Sequence, residues 1–547
     1  MKFYFKQIVP DRIGAGLGIL LAAAYALGWL GGPALADDIT WTNPSQLAEE
    51  PSEGGQGFFP GTSLTGNTVT VNSGPDLIGG VYGAVTGGDE AVRHNQVFVS
   101  GTANITEGVA GAVSGGEASE NYAEISGGEF DALAGGLSMR SRADNNEILM
   151  TGGRVLGPEG IAGGLALGFS GQGGVSGNKV TFGGTAYSAS YLLSGYVRNG
   201  SGNAEKNSLI INGGTVGTSA GYFHGAYGGM VEQPDSAGSA LSNEVLMTGG
   251  TIFGHLFGGA ALGEGRAEAN QVTMTGGLLN SSDRGSSLYG GFAMSGDALR
   301  NKVYFEGGQV LGDEDSFAGG AIGGFSYGGA VRGNEVYVSG GELEWAPAGG
   351  ITMGAAPAED NSVTVSGGNM TVIIGGFSMG GDASGNSITL TGGNVSESLA
   401  SGLTVTGAVH HNQVLVTGGN LGFGVPDGGI AGGLSMYGGE NYANTVTVTG
   451  GTIKGAVSGG MMQFDGAAHD NTVTISGAPD LTGASLYGGY YEGPPPFTGD
   501  LFSGNTLNVW GYSGTAILEA GNFETYNFLL PRIQPSAPLL EASGTVV

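Results

Sequence analysis

One phrase returns sixteen times from residue 67 onward: Asn-x-apolar-x-apolar-Ser/Thr-Gly-Gly. Clear copies are Asn243 to Gly250 (NEVLMTGG), Asn361 to Gly368 (NSVTVSGG) and Asn444 to Gly451 (NTVTVTGG). The copies open at Asn67, Asn95, Asn121, Asn146, Asn178, Asn207, Asn243, Asn270, Asn301, Asn334, Asn361, Asn386, Asn412, Asn444, Asn471 and Asn505, 25 to 36 residues apart. Repetition at this period restricts the chain to a stacked architecture, in which each repeat buries its apolar face against the next.

Within each copy the pattern is that of a strand. The second and fourth positions after Asn are apolar in all sixteen copies, and the first is polar everywhere except Tyr122. Alternation of this kind sends the apolar side chains to one face. Glycine stands six after Asn in fifteen copies, the first having Ser73, so the strand ends at a corner. A second signature follows in many copies, as at Gly135 to Met139 (GGLSM), Gly290 to Met294 (GGFAM) and Gly375 to Met379 (GGFSM). A further short apolar run lies between the signatures, as in Leu77-Ile78 or Val372-Ile373-Ile374.

The expected fold is all-β: a parallel, right-handed β-helix or solenoid of about sixteen coils, with three short strands per coil. Sixteen rungs at ~4.8 Å would give a monomeric rod of ~70–80 Å. A propeller is disfavoured, because its blades need four antiparallel strands in about 40 residues. The boundaries expected are a signal segment 1–36, a lead-in 37–62, solenoid repeats 63–514 and a lead-out 515–547. One Asn per coil would stack into a row of amides that satisfy one another, a structural ladder rather than a ligand site.

Composition narrows the function. Gly supplies 116 of 547 residues with no collagen-like period, and only 12% of residues are charged. The formal net charge of −30 repels nucleic acid and anionic lipid. Cysteine is absent, which removes disulfides and thiolate chemistry and suits passage through an oxidising compartment. Lys2, Lys6 and Arg12 precede an uncharged, Leu/Ala-rich stretch from Ile13 to Ala36 that closes on Ala34-Leu35-Ala36 before Asp37. A basic head, an apolar middle and small residues at −3 and −1 form a secretory signal cleaved between Ala36 and Asp37. No later stretch is long and apolar enough to cross a membrane as a helix.

The signal, the NTVTVTGG-type phrases and the GGLSM-type phrases together resemble the passenger region of bacterial autotransporters, over roughly residues 63 to 530. The resemblance implies a β-helical passenger carried outward by an outer-membrane barrel, with a non-enzymatic, adhesin-like role at the cell surface. It further implies partners among host or bacterial surface glycans or proteins. Thr515 to Pro531 resembles the lead-out from a last coil, and the barrel expected of a full-length form does not follow it. This chain alone is expected to stop in the periplasm, and one supplied with a barrel to reach the surface.

Catalytic signatures are lacking. The Gly-Asp-Ser-Gly loop of serine-protease autotransporters does not occur, and no Gly-x-Ser-x-Gly elbow sits between a strand and a helix. Walker loops, HExxH and the calcium-solenoid repeat are absent, so no metal or cofactor is expected. His94, His410, His411 and His469 all fall one or two residues before an anchor Asn, in equivalent exposed turns. The alternative function is a β-helical carbohydrate-active enzyme, a polysaccharide lyase or glycoside hydrolase. Glu117, Asp297, Asp382 and Glu440 share a register for it, four residues before an anchor, but never on neighbouring coils. Asp313-Glu314-Asp315 reads as a solvated loop.

Overall fold

The computed structural model describes residues 38–41, 59–60, 64–72, 80–169, 173–218, 225–281, 285–312, 319–422, 428–493, 497–529 and 540–544. The signal segment with Ala34, Ala36 and Asp37 lies outside the described residues, as do Leu77-Ile78 and Asp313-Glu314-Asp315. Among the described residues every regular element is a β-strand, and the strands stack in parallel as a β-solenoid of about 14 turns. Two compact units divide it, the first running to Ala293 and the second beginning at Met294.

One coil of the second unit shows the plan. The Asn strand runs Ser362–Val365, a two-residue piece Asn369–Met370 follows the Gly-Gly corner, and a second strand spans Ile373–Ser378. A short strand, Ala383–Ser384, then leads to the next anchor. Val363 and Val365 point inward, 1% and 0% exposed, while Ser362 and Thr364 face outward half-buried. Registration from coil to coil is strict. In the first unit Val69, Val97, Ala123, Ile148, Val180, Leu209, Val245 and Val272 form one column. In the second, Val303, Val336, Val363, Ile388, Val414, Val446, Val473 and Leu507 form another. A slip of one residue would turn each strand's apolar set outward, so the alternation itself fixes this register.

Two details refine the reading of the sequence. Sixteen phrases accompany about 14 complete turns because the short strand before the anchor forms for Asn95 through Asn471 only. Before Asn67 there is a single bridge, from Thr65 to Arg93, and before Asn505 a turn. The apolar run 372–374 and the Gly-Gly phrase after it also belong largely to one strand, Ile373–Ser378. These glycines provide clearance rather than a turn. A Cβ on Gly376 would stand 2.4 Å from Asn386 Oδ1, and one on Gly375 would stand 2.2 Å from the Ser401 carbonyl oxygen. Gly136 and Gly259 face Asn146 and Asn270 in the same way.

Corners need left-handed backbone. All sixteen residues that precede an anchor Asn have positive φ: Gly66, Gly177, Gly333, Gly385 and Gly504, and eleven non-glycines including His94, Glu120, Lys206, Arg300 and His411. Each non-glycine there carries a modest strain that the surrounding coils must hold in place.

Candidate functional site

Every anchor asparagine is at most 2% exposed. In the first unit the backbone N–H and the Nδ2 of each donate to Oδ1 of the next, from Asn67 to Asn95 at 3.0 and 2.8 Å through to Asn243 and Asn270 at 3.0 and 2.9 Å. The second unit repeats this from Asn301 through Asn444, for example Asn386 to Asn412 at 2.9 and 3.0 Å, and Asn471 gives Asn505 Oδ1 its backbone N–H alone, at 2.8 Å. Nδ2 also donates to a carbonyl of the short strand one coil back, as Asn386 does to Ala358 at 2.9 Å. Each amide is thereby saturated in the interior, with nothing left to offer a ligand. At Asn505 the pattern changes. Its N–H turns to the Phe502 carbonyl at 3.3 Å, and its Nδ2 to Leu501 and Ala468 at 2.7 and 3.0 Å.

The carboxylates that share a register have local duties. Glu117 pairs with Arg93 at 2.8 Å and accepts from Ser119, while Asp297 and Asp382 accept from the backbone N–H of Ala330 and Ala408. Serines in phrases such as Gly376 to Gly380 have nucleophile-like spacing, but Ser378 is buried and donates to the Ala356 carbonyl at 2.8 Å. Ser326 does the same toward Gly296.

A different group gathers in the first unit from three coils. Arg198, its side chain 15% exposed, lies between Glu159 at 3.6 Å and Glu232 at 3.7 Å. Tyr196 donates its hydroxyl to Glu232. Burial raises the pKa of Glu159 and Glu232, against the lowering influence of Arg198. Burial, followed by the two carboxylates, pushes Tyr191 up to about 12. Beside this group runs an aromatic stack in which Tyr227, Phe257 and Tyr289 lie 4.6 and 4.9 Å apart, nearly parallel. His255 abuts Phe257 and Tyr289, accepts from the Ser287 N–H at 3.1 Å, and is pushed down to about 4 by burial. Farther along, Glu107 keeps a buried Oε2 without a hydrogen-bond partner, and burial and then Asp131 raise its pKa. Sequence reading missed these residues because no recurring phrase marks them: Tyr227, Phe257 and Tyr289 share one strand register, and Arg198 and Glu232 follow the paired Val197 and Val231, but the residue type at each place changes from coil to coil. Perturbed carboxylates beside tyrosines mark a place where chemistry or recognition is feasible.

In the second unit a shallow groove of about 460 Å³ is lined by four consecutive-coil pairs, Gly308 and Gln309, Gly341 and Glu342, Gly368 and Asn369, and Gly393 and Asn394. Its exposed amides are chained: Gln309 donates to Glu342 at 3.1 Å, Asn394 to Asn369 at 2.9 Å, and Asn420 to Asn394 at 2.8 Å. Among the described residues no three His, Cys, Asp or Glu side chains converge as a metal cage, and no helix is long and apolar enough to span a bilayer. The fold places the chain among the β-solenoid proteins. No family model, curated protein or solved structure matches it.

Proposed function

We propose that the chain is an exported, autotransporter-like β-solenoid whose role is non-enzymatic and adhesive. The observation that carries this reading is the coil itself. Strand registers and ladder bonds join neighbouring coils, no cysteine interrupts the series, and a signal-like segment heads the sequence. Such a chain can cross a pore unfolded and condense coil by coil on the far side. The groove along Gln309, Glu342, Asn369 and Asn394 offers exposed donors and acceptors suited to the hydroxyls of a surface glycan. Protease shaving of intact cells tests the route. Fused to an outer-membrane barrel the chain should be digested, and without the barrel it should be protected in the periplasm. Equal digestion of both with a sealed periplasm would contradict the proposal.

A second reading, a carbohydrate-active enzyme, is favoured by one observation: Glu159 and Glu232 are both held with raised pKa around Arg198, next to Tyr191 and Tyr196. Glycoside cleavage uses such paired carboxyls. Release of reducing ends from polysaccharides, lost in Glu232→Gln while the fold persists, would establish it. A panel of acidic and neutral polysaccharides left intact by the wild type would exclude it.

A further inference from the structure

In the second unit, consecutive histidines occupy the corner before Asn412. His410 ends the short strand Val409–His410, and His411 takes the left-handed corner at φ 58°. This backbone reversal brings two side chains that would diverge in a strand onto the same side. Their Nδ1 atoms stand 2.9 Å apart, with the rings nearly perpendicular at 88°. Tyr442 of the next coil holds both rings. It stacks on His410 at 5.0 Å and meets His411 edge-on at 6.0 Å. His469, one coil farther, stacks on the other face of Tyr442 at 5.7 Å, but its Nδ1 is engaged by Asp470 at 2.8 Å.

We propose that His410 and His411 hold a single Cu(II) ion through their Nδ1 atoms. With metal–nitrogen bonds of about 2.0–2.1 Å, adjacent corners of a square lie about 2.9 Å apart, whereas tetrahedral corners lie about 3.3 Å apart. The observed separation matches the square, the geometry of Cu(II), and imidazole is a ligand this ion favours above other divalent first-row metals. As the ion binds, the proton shared between the two Nδ1 atoms passes through water to the Nε2 of the ring that carried it, so both rings stay neutral and each offers its Nδ1 lone pair. His410 is already biased to that form: burial, then His411, lowers its pKa, against Asp382 and Glu359. His411 is exposed and His410 half-buried, so the remaining coordination positions are open to water or to a donor from a bound molecule.

The test is titration of the whole chain with CuSO₄ in a non-coordinating buffer at about pH 7.5, repeated at about pH 5 where imidazoles protonate. It is followed by calorimetry and by electron paramagnetic resonance at one equivalent. Wild type should show one site with coupling to two nitrogens, weakened at the lower pH. His410→Gln and His411→Asn should each weaken that site by about tenfold or more; Asn tolerates the left-handed corner, so the second variant keeps the fold. Tyr442→Ala should weaken it less, through loss of the ring support. His469→Ala should leave it unchanged. The proposal fails if the His410→Gln/His411→Asn double variant keeps the site and its nitrogen coupling. It also fails if His469→Ala removes as much binding as either histidine variant, or if only adventitious binding without nitrogen coupling is seen.

Discussion

A single ladder asparagine serves two coils at once. Removing the side chain of Asn386 would strand the N–H of Asn361 and one of its two Nδ2 donors, both of which use Asn386 Oδ1 at 3.0 Å, and would take the side-chain donor from the Ala358 carbonyl, while the other Nδ2 hydrogen keeps Val331 at 3.1 Å. Buried unpaired groups cost about 1–3 kcal/mol each, so Asn386→Ala should lose about 3–5 kcal/mol in denaturant unfolding, allowing for local relaxation. An unchanged midpoint would mean that water takes over these bonds. His255 supplies a pH signature. Its pKa, about 4 when folded, lies below the ordinary histidine value of 6.5. The unfolded chain therefore takes up its proton first, and stability falls as pH drops from about 6.5 toward 4. The loss due to this residue is about 1–3 kcal/mol. The raised carboxylates Glu107, Glu159 and Glu232 act in the opposite sense, since their penalty fades as they protonate. Comparing wild type with His255→Gln isolates the histidine: the variant should lose less stability over that window, and parallel curves would refute the assignment.

At the scale of the strand, alternation was the legible part. Positions two and four after each anchor announced the core because burial with period two admits one face only. Val446 is 0% exposed and Thr447 half-buried on the opposite face. Val446→Asp should cost about 3 kcal/mol or more, and Thr447→Asp much less, in parallel thermal melts. The second Gly-Gly was harder to read. Glycine commonly signals a turn, but here it clears space inside a strand for the amide of the next anchor asparagine, and only the packed coil reveals the need. Gly376→Ala would drive a Cβ into Asn386, whereas Gly438→Ala, at φ 68° with no atom within 4 Å, meets only backbone strain. The first should destabilise by several kcal/mol and the second by about 1 kcal/mol, measured by chemical denaturation. The left-handed residue before each anchor was also hidden, since His, Glu, Lys, Ala and Arg all occupy it and share no chemistry. The Glu159, Arg198 and Glu232 group was hidden for a related reason. Its members meet only after turns of unequal length have closed.

For the whole molecule, repetition made the architecture readable while leaving the ligand unread, because the repeated residues are spent on the interior. If the chain recognises a surface glycan as proposed, the contacts fall to what does not repeat: the outer turns and the exposed amides of the second unit. Export has its own check. Cleavage after Ala36 should yield a mature chain beginning at Asp37, visible by mass spectrometry of the exported protein; an intact peptide spanning Leu35 to Ile39 in that material would refute it.

The one-way bonding of the asparagines gives the second unit the logic of a growing polymer. A completed coil presents two waiting donors on its anchor, and the next coil to arrive brings the one acceptor that quenches both. Propagation in the chain direction is therefore rewarded at every step, while a coil added in reverse orientation would bring donors to donors. At Asn505 the donors are turned onto the Phe502, Leu501 and Ala468 carbonyls, so the amide ladder ends there while strand pairing continues to Thr525–Leu529. Extending the amide ladder itself requires inserting coils before Asn505, since a strand stacked beyond it, as Thr525–Leu529 is, meets no waiting side-chain donors.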